Sequence, residues 1–359
     1  MEIDTRKKVA FPRYAEYNCG IKYLLENGLG VKCILPPPLT QRTLEIGAKY
    51  SPDFVCTPFK TTLGSQIEAL EAGADTLVMT YGLCKLGYYG ELQEQILRDL
   101  GYRFTYINLT QYHTGKKRDI LRCLKQFNPR VKYAKVALAF RDAVKMVEHV
   151  DEITGLYYQN YGFAADRAAY RQVYQTFLAE MYAAATRTEI AQGYRNALEA
   201  FGRIPVEKPH RPLRVGIVGE FYTAMDAFSN LEVERKLAEL GVEVHRWMTV
   251  SNRMLHYAGE ENLNVKIREY CTYEMGPNST ANIWCARDYA ERGFDGVIHI
   301  KSANCTPEID IMPVLQNISQ DYKMPILYLT FDAQTSDVGL MTRLEAFYDM
   351  ISMRKKVIR

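Results

Sequence analysis

The chain carries eight cysteines but no Cys-x-x-Cys pair, which sets aside a zinc finger, a thioredoxin-like redox centre and the ligand run of a bacterial ferredoxin. No apolar run approaches the ~20 residues that cross a bilayer, so no membrane partner is expected. The opening MEIDTRKK is polar and runs straight into a strand, unlike a secretory leader. The net charge is only +3 and there is no long basic run, which disfavours nucleic acid as a partner. Neither Lys116-Lys117-Arg118 nor Arg354-Lys355-Lys356 is more than a short solvated patch. The P-loop pattern is absent and Gly216-Ile217-Val218-Gly219 lacks the full dinucleotide fingerprint, so no nucleotide is expected on the chain itself. The six histidines are scattered without an H-E-x-x-H, and His299, on an apolar strand, reads as a satisfied core residue. These absences describe a cytoplasmic protein whose cysteines stay free of disulfides.

What is present is an alternation of short apolar runs with helical stretches. At 359 residues the chain can hold two domains, each with its own core. Strands are expected at Lys8–Phe11, Val31–Leu35, Thr76–Thr80 and Arg103–Asn108, with a helix over Tyr14–Asn27, one over Gln41–Tyr50 capped by Thr40, one over Lys60–Ala72 and one over Glu91–Leu100. The pattern returns after Pro205–Pro212, with strands at Arg214–Val218, Val242–Trp247, Gly296–Ile300 and Ile326–Thr330, and a helix over Thr280–Arg292 capped by Ser279. Such alternation predicts an α/β fold: two Rossmann-like lobes with mostly parallel sheets. The expected division is a first lobe over 1–130, a helical segment over 131–204, a linker over 205–213 and a second lobe over 214–359. In the helical segment Tyr170, Val173, Tyr174, Phe177 and Met181 recur at helical spacing. They fit a packed arm joining the lobes better than a partner surface.

Three cysteines share a setting. GADTLVMTYGLC ends in Cys84, and its near-copy GFDGVIHIKSANC ends in Cys305. Cys56 follows the brief apolar run Phe54-Val55, and Cys56-Thr57-Pro58 repeats as Cys305-Thr306-Pro307. In open α/β sheets ligands collect beyond the carboxyl ends of strands, which would gather thiols from both halves into a cleft between the lobes. Thiolates are soft ligands that select iron–sulfur clusters or zinc. Three buried structural cysteines are the alternative, because a free cysteine is often a core residue. Cys33, Cys123 and Cys285 fit that alternative directly, while Cys19 and Cys271 are intermediate. Glu220 follows the strand VGIVG and Arg13 follows KVAFP, so each is expected at a strand end, serving a substrate or bracing the lobes.

The segments CTPFK (56–60), YGLCKLGYYGE (81–91), VGIVGEFY (215–222), FDGVIHI…NCTPEI (294–309) and LTFDAQTSDVGLMTRLEAFYDM (329–350) resemble the CoA protein activases, relatives of the 2-hydroxyacyl-CoA dehydratase subunits and of double-cubane iron–sulfur proteins. The likeness covers most of the chain and is weakest over 131–201. It implies a [4Fe–4S]-type cluster held by Cys56, Cys84 and Cys305 in the interlobe cleft, with an iron left open for a small or acyl-CoA substrate. It also implies a low-potential electron from a separate actin/Hsp70-like ATPase; whether the chain forms a homo- or hetero-oligomer is not fixed by the sequence. Relatives often read Gly-Pro-Cys-Arg where this chain has Gly82-Leu83-Cys84-Lys85. Two other roles compete: an accessory subunit that docks the ATPase or a larger dehydratase without chemistry of its own, and a zinc or metal-free ligand-binding protein.

Overall fold

The computed structural model describes residues 4–79, 88–109, 117–255, 260–273 and 275–357. The chain divides into two compact units: Met1–Val147 with Met181–Ile190, and Glu148–Glu180 with Ala191–Arg359.

The first unit holds strands β1 (Asp4–Ala10), β2 (Val31–Cys33), β3 (Thr76–Met79) and β4 (Thr105–Asn108), ordered β2-β1-β3-β4 with every pairing parallel. Helices α1 (Asn18–Tyr23), α2 (Gln41–Tyr50), α3 (Thr57–Glu71), α4 (Tyr89–Asp99) and α5 (Lys117–Phe127) connect and flank them. Neighbouring residues of a strand face opposite sides of its sheet, and both sides are covered here. Val9 packs with Phe11, Leu25, Val31, Val78 and Ile107, whereas Ala10 packs with Phe59, Leu63, Leu77 and Leu97. That two-sided burial is why β3, Thr-Leu-Val-Met, is buried along its whole length.

Helix α2 has the expected bounds, because Thr40 and Thr43 form a reciprocal capping pair at its start. The expected helix over Tyr14–Asn27 is instead composite. A tight turn at Ala15–Tyr17 leads into α1 and then into a wider turn over Leu24–Leu29, closed by Gly30 at φ +67°. Helices α2 and α3 cross in near backbone contact. A Cβ on Gly64 would lie 1.9 Å from the Thr43 carbonyl oxygen, and one on Gly47 only 1.7 Å from that of Lys60.

Long helices follow: α6 (Tyr133–Asn160), α7 (Arg167–Ala183) and α8 (Arg187–Gly202), whose residues are divided between the two units. Tyr170, Tyr174, Phe177 and Met181 are buried along α7, as their spacing predicts. The Tyr157 ring stacks on Tyr174 with centroids 4.5 Å apart, and Tyr170 lies 4.4 Å from Phe201. The stretch after α8 pairs back on the chain, with Glu207 N–H donating to the Phe163 carbonyl at 2.8 Å.

The second unit repeats the first sheet. Strands β5 (Leu213–Gly219), β6 (Val242–Arg246), β7 (Gly296–Ser302) and β8 (Ile326–Phe331) are ordered β6-β5-β7-β8, again all parallel. Its helices are α9 (Phe221–Met225), α10 (Val233–Glu239), α11 (Glu260–Lys266), α12 (Pro277–Glu291), α13 (Thr306–Asp310), α14 (Met312–Asp321) and α15 (Asp337–Val357). Ser279 does not cap α12 as expected. The helix starts at Pro277, whose ring pre-sets φ, and Ser279 is buried inside it with its hydroxyl 3.3 Å from the Pro307 carbonyl. In both sheets the chain steps outward from the first strand and then recrosses it. The topological switch point therefore lies between β1 and β3, and between β5 and β7. No described helix is long and apolar enough to cross a membrane.

Candidate functional site

In the second unit the switch point is built by the ends of β5 and β7. Gly219 closes β5 at φ +145°, where a Cβ would fall 1.8 Å from the Ile300 carbonyl oxygen. Only glycine permits that approach, and it turns Glu220 out of the strand. The Glu220 N–H still donates to Ile300 at 2.8 Å. Its carboxylate then caps α9, accepting from Tyr222 N–H at 2.9 Å, Thr223 N–H at 2.7 Å and the Thr223 hydroxyl at 2.6 Å. Burial pushes the Glu220 carboxyl above its usual range. The Thr223 and Tyr222 donors pull it back, and the neighbouring Glu308 adds to the rise.

Strand β7 ends at Ser302, and the chain turns through Asn304 at φ +62°. Cys305 N–H donates back to the Ser302 carbonyl at 3.2 Å, and Cys305 becomes the N-cap residue of α13, half-buried. Cys56 holds the same position on α3 and is likewise half-buried. In each repeat Cys is the N-cap, Thr the first helical residue and Pro the second, where a missing N–H costs nothing. The repeated tripeptide is thus a helix-start device that leaves a thiol outside the first turn.

The expectation that Cys56 follows a strand is not met. Phe54 is 89 % exposed and Val55 N–H closes a turn onto Pro52, so the apolar run has no sheet to join. Helix α3 also begins three residues before its expected start. The Cys56 sulfur contacts the Tyr89 hydroxyl, whose ring stands edge-on to the buried Phe59 at 5.0 Å. Cys84 lies outside the described residues. Arg13 follows β1 as expected, but its donors bond within the first unit: Nε bonds the Pro36 and Pro37 carbonyls at 2.9 and 3.1 Å, and Nη1 reaches the Tyr182 hydroxyl at 3.4 Å. That pattern ties down the three-proline segment after β2.

The remaining described cysteines are buried. Burial pushes the thiols of Cys19 and Cys33 up to about 12 and that of Cys123 up to about 11, and raises Cys285 well beyond its usual value. Cys19 and Cys271 donate their S–H to the Glu16 and Tyr273 carbonyls, each at 3.2 Å. These are core thiols, in keeping with the sequence reading of Cys33, Cys123 and Cys285.

Sequence reasoning missed a polar cluster under the Cys305 turn. His299 and Glu308 are both almost wholly inaccessible, with His299 Nε2 2.7 Å from Glu308 Oε2. Asn282 Nδ2 donates to the two Glu308 oxygens at 3.0 and 3.2 Å. The same side chain pairs with both the N–H and the carbonyl of Gly219, each at 2.9 Å. His299 Nδ1 has no partner among the described residues. His299 is therefore a core residue, as its strand implies, but not a fully satisfied one. The one available signal was a glutamate three residues past Cys305, inside a motif already singled out.

The sequence profile described as 2-hydroxyglutaryl-CoA dehydratase, D-component, matches residues 27–351 of the chain. The chain belongs to that family. No curated protein matches it. Cys56 and Cys305 are the two described cysteines not withdrawn into the core. Among the described residues no three His, Cys, Asp or Glu side chains lie close enough together to hold a metal ion.

Proposed function

We propose that this dehydratase-family chain is an iron–sulfur protein close to the CoA protein activases and double-cubane proteins. In this reading it binds a [4Fe–4S]-type cluster through Cys56, Cys84 and Cys305. It acts in the cytoplasm on a small or acyl-CoA substrate, reducing or dehydrating it with electrons from an actin/Hsp70-like ATPase. Residues 1–130 and 214–359 form the two lobes, joined by the helical segment 131–204 and the linker 205–213, with the cluster in the cleft between them. When bound, a cluster with three protein ligands supplies a low-potential electron and an iron open to substrate. The chain's own residues have separable tasks. Cys56 and Cys305 each present a thiol at the start of a helix, and Glu220 keeps a carboxyl able to stay protonated above the usual range.

The observation that carries this reading is the matched placement of Cys56 and Cys305, each a half-buried N-cap in a Cys-Thr-Pro start, in a chain of the dehydratase family. Anaerobic purification with iron and sulfide analysis tests it. The expected result is a brown protein with about four of each per cubane. A colourless, iron-free chain under those conditions overturns the reading, and a chain holding zinc alone replaces it with a zinc site. Activity that appears only in complex, and persists in Cys84→Ala, assigns the chain an accessory role instead.

A further inference from the structure

Glu308 sits in the first turn of α13, three residues beyond Cys305, with an exposure of 1 %. A glutamate in a first helical turn ordinarily stays in water and faces the free N–H groups there. All the hydrogen bonds recorded for Glu308 instead leave its helix, for His299 on β7 and Asn282 on α12. Asn282 carries the connection to the end of β5 through Gly219. One carboxyl thus fastens the short helix that begins at Cys305 to both central strands and to α12. Filling the same space with a leucine would avoid the desolvation of a carboxyl, so simple core packing does not account for it. Directional bonds do what apolar packing does poorly: they set the position of the helix start along and around its axis.

We propose that Glu308 is the positioning residue for Cys305, its carboxyl, gripped by His299 and Asn282, fixing where the thiol stands at the switch point of the second sheet. The inference deepens the reading of Cys305 as a cluster ligand and rests on it for its purpose. The anchoring itself is a property of the metal-free chain.

The test is the alkylation of the metal-free, full-length protein by iodoacetamide, followed cysteine by cysteine by peptide mass spectrometry. Cys56, in the other unit, is the internal reference, and buried Cys285 on α12 reports loss of fold. Glu308→Ala should raise the Cys305 rate relative to Cys56 by about tenfold, since the closed turn loses its buried links. Glu308→Gln keeps an acceptor oxygen for Asn282 and a polar amide facing His299 Nε2. It should restore the wild-type ratio to within about twofold. A ratio unchanged in Glu308→Ala with Cys285 still protected overturns the proposal, as does a Gln variant that behaves like the Ala variant. If Glu308→Ala exposes Cys285, Asn282→Ala decides: a rise in the Cys305 ratio of about threefold or more supports the proposal and no rise overturns it. A wild-type chain that takes up no iron defeats the cluster reading alone, because the alkylation ratios are measured without metal.

Discussion

At the scale of single residues, exposure and local charge separate the thiols that can react from those that cannot. A thiol raised to about 12 is thiolate in roughly one molecule in ten thousand at pH 8, and the thiolate is the nucleophile. Brief alkylation of the metal-free protein at that pH should label Cys56 and Cys305 while Cys19, Cys33, Cys123 and Cys285 stay unmodified. Rapid labelling of Cys33 or Cys285 would contradict the packing described above. Glu220 makes a second prediction. Its folded value lies above the ordinary 4.5, mainly through burial, so the native state binds its proton more tightly than the unfolded chain does. The stability it contributes is full below about 4.5 and is lost as pH rises through the raised folded value. Glu220→Gln should therefore flatten the decline of melting temperature with pH in that window relative to wild type.

At the scale of elements, the start and crossing of helices decide where the chemistry sits. The α2–α3 crossing depends on Gly64, where an added methyl meets main chain and not a yielding side chain. Gly64→Ala should destabilise by about 2–3 kcal/mol, and because Cys56 caps α3 it should disturb that thiol as well. Gly202 is the control, with nothing within 4 Å of an added Cβ. Gly202→Ala should be neutral, or stabilising by up to about 1 kcal/mol. Equal melting temperatures for the two variants would show that α2 and α3 do not pack as described. Several elements were legible beforehand because their signals are local: the Thr40 cap of α2, and strands such as Leu213–Gly219, an apolar run with Pro212 before it and Gly219 at its end. The misread ones depended on partners out of sequence. Phe54-Val55 looks like a strand only if a neighbour strand exists, and Ser279 looks like a cap only if Pro277 is not already the first helical residue.

At the scale of the whole molecule, two sheets of identical strand order place Arg13 and Glu220 after their first strands, with Cys305 after the third strand of the second sheet. If one cluster draws ligands from both units, losses at the ligands are not additive. Cys56→Ala, Cys305→Ala and the double variant should then retain the same low residual iron, because a cubane short of one thiolate is not held. Retention of half the iron in each single variant would instead mean separate sites.

The amino-acid order alone determined the strand–helix alternation, the two repeats of Cys-Thr-Pro and the family likeness, because apolar period, turn residues and motif spacing act over a few neighbours. Tertiary structure alone decided which thiols lie outside the core, that Arg13 serves the proline segment, and that Glu308 meets His299 and Asn282 under Cys305. Those partners stand nine and twenty-six residues from Glu308 in the chain, and only the parallel pairing of β5 with β7, with α12 laid against them, brings their side chains within hydrogen-bond reach.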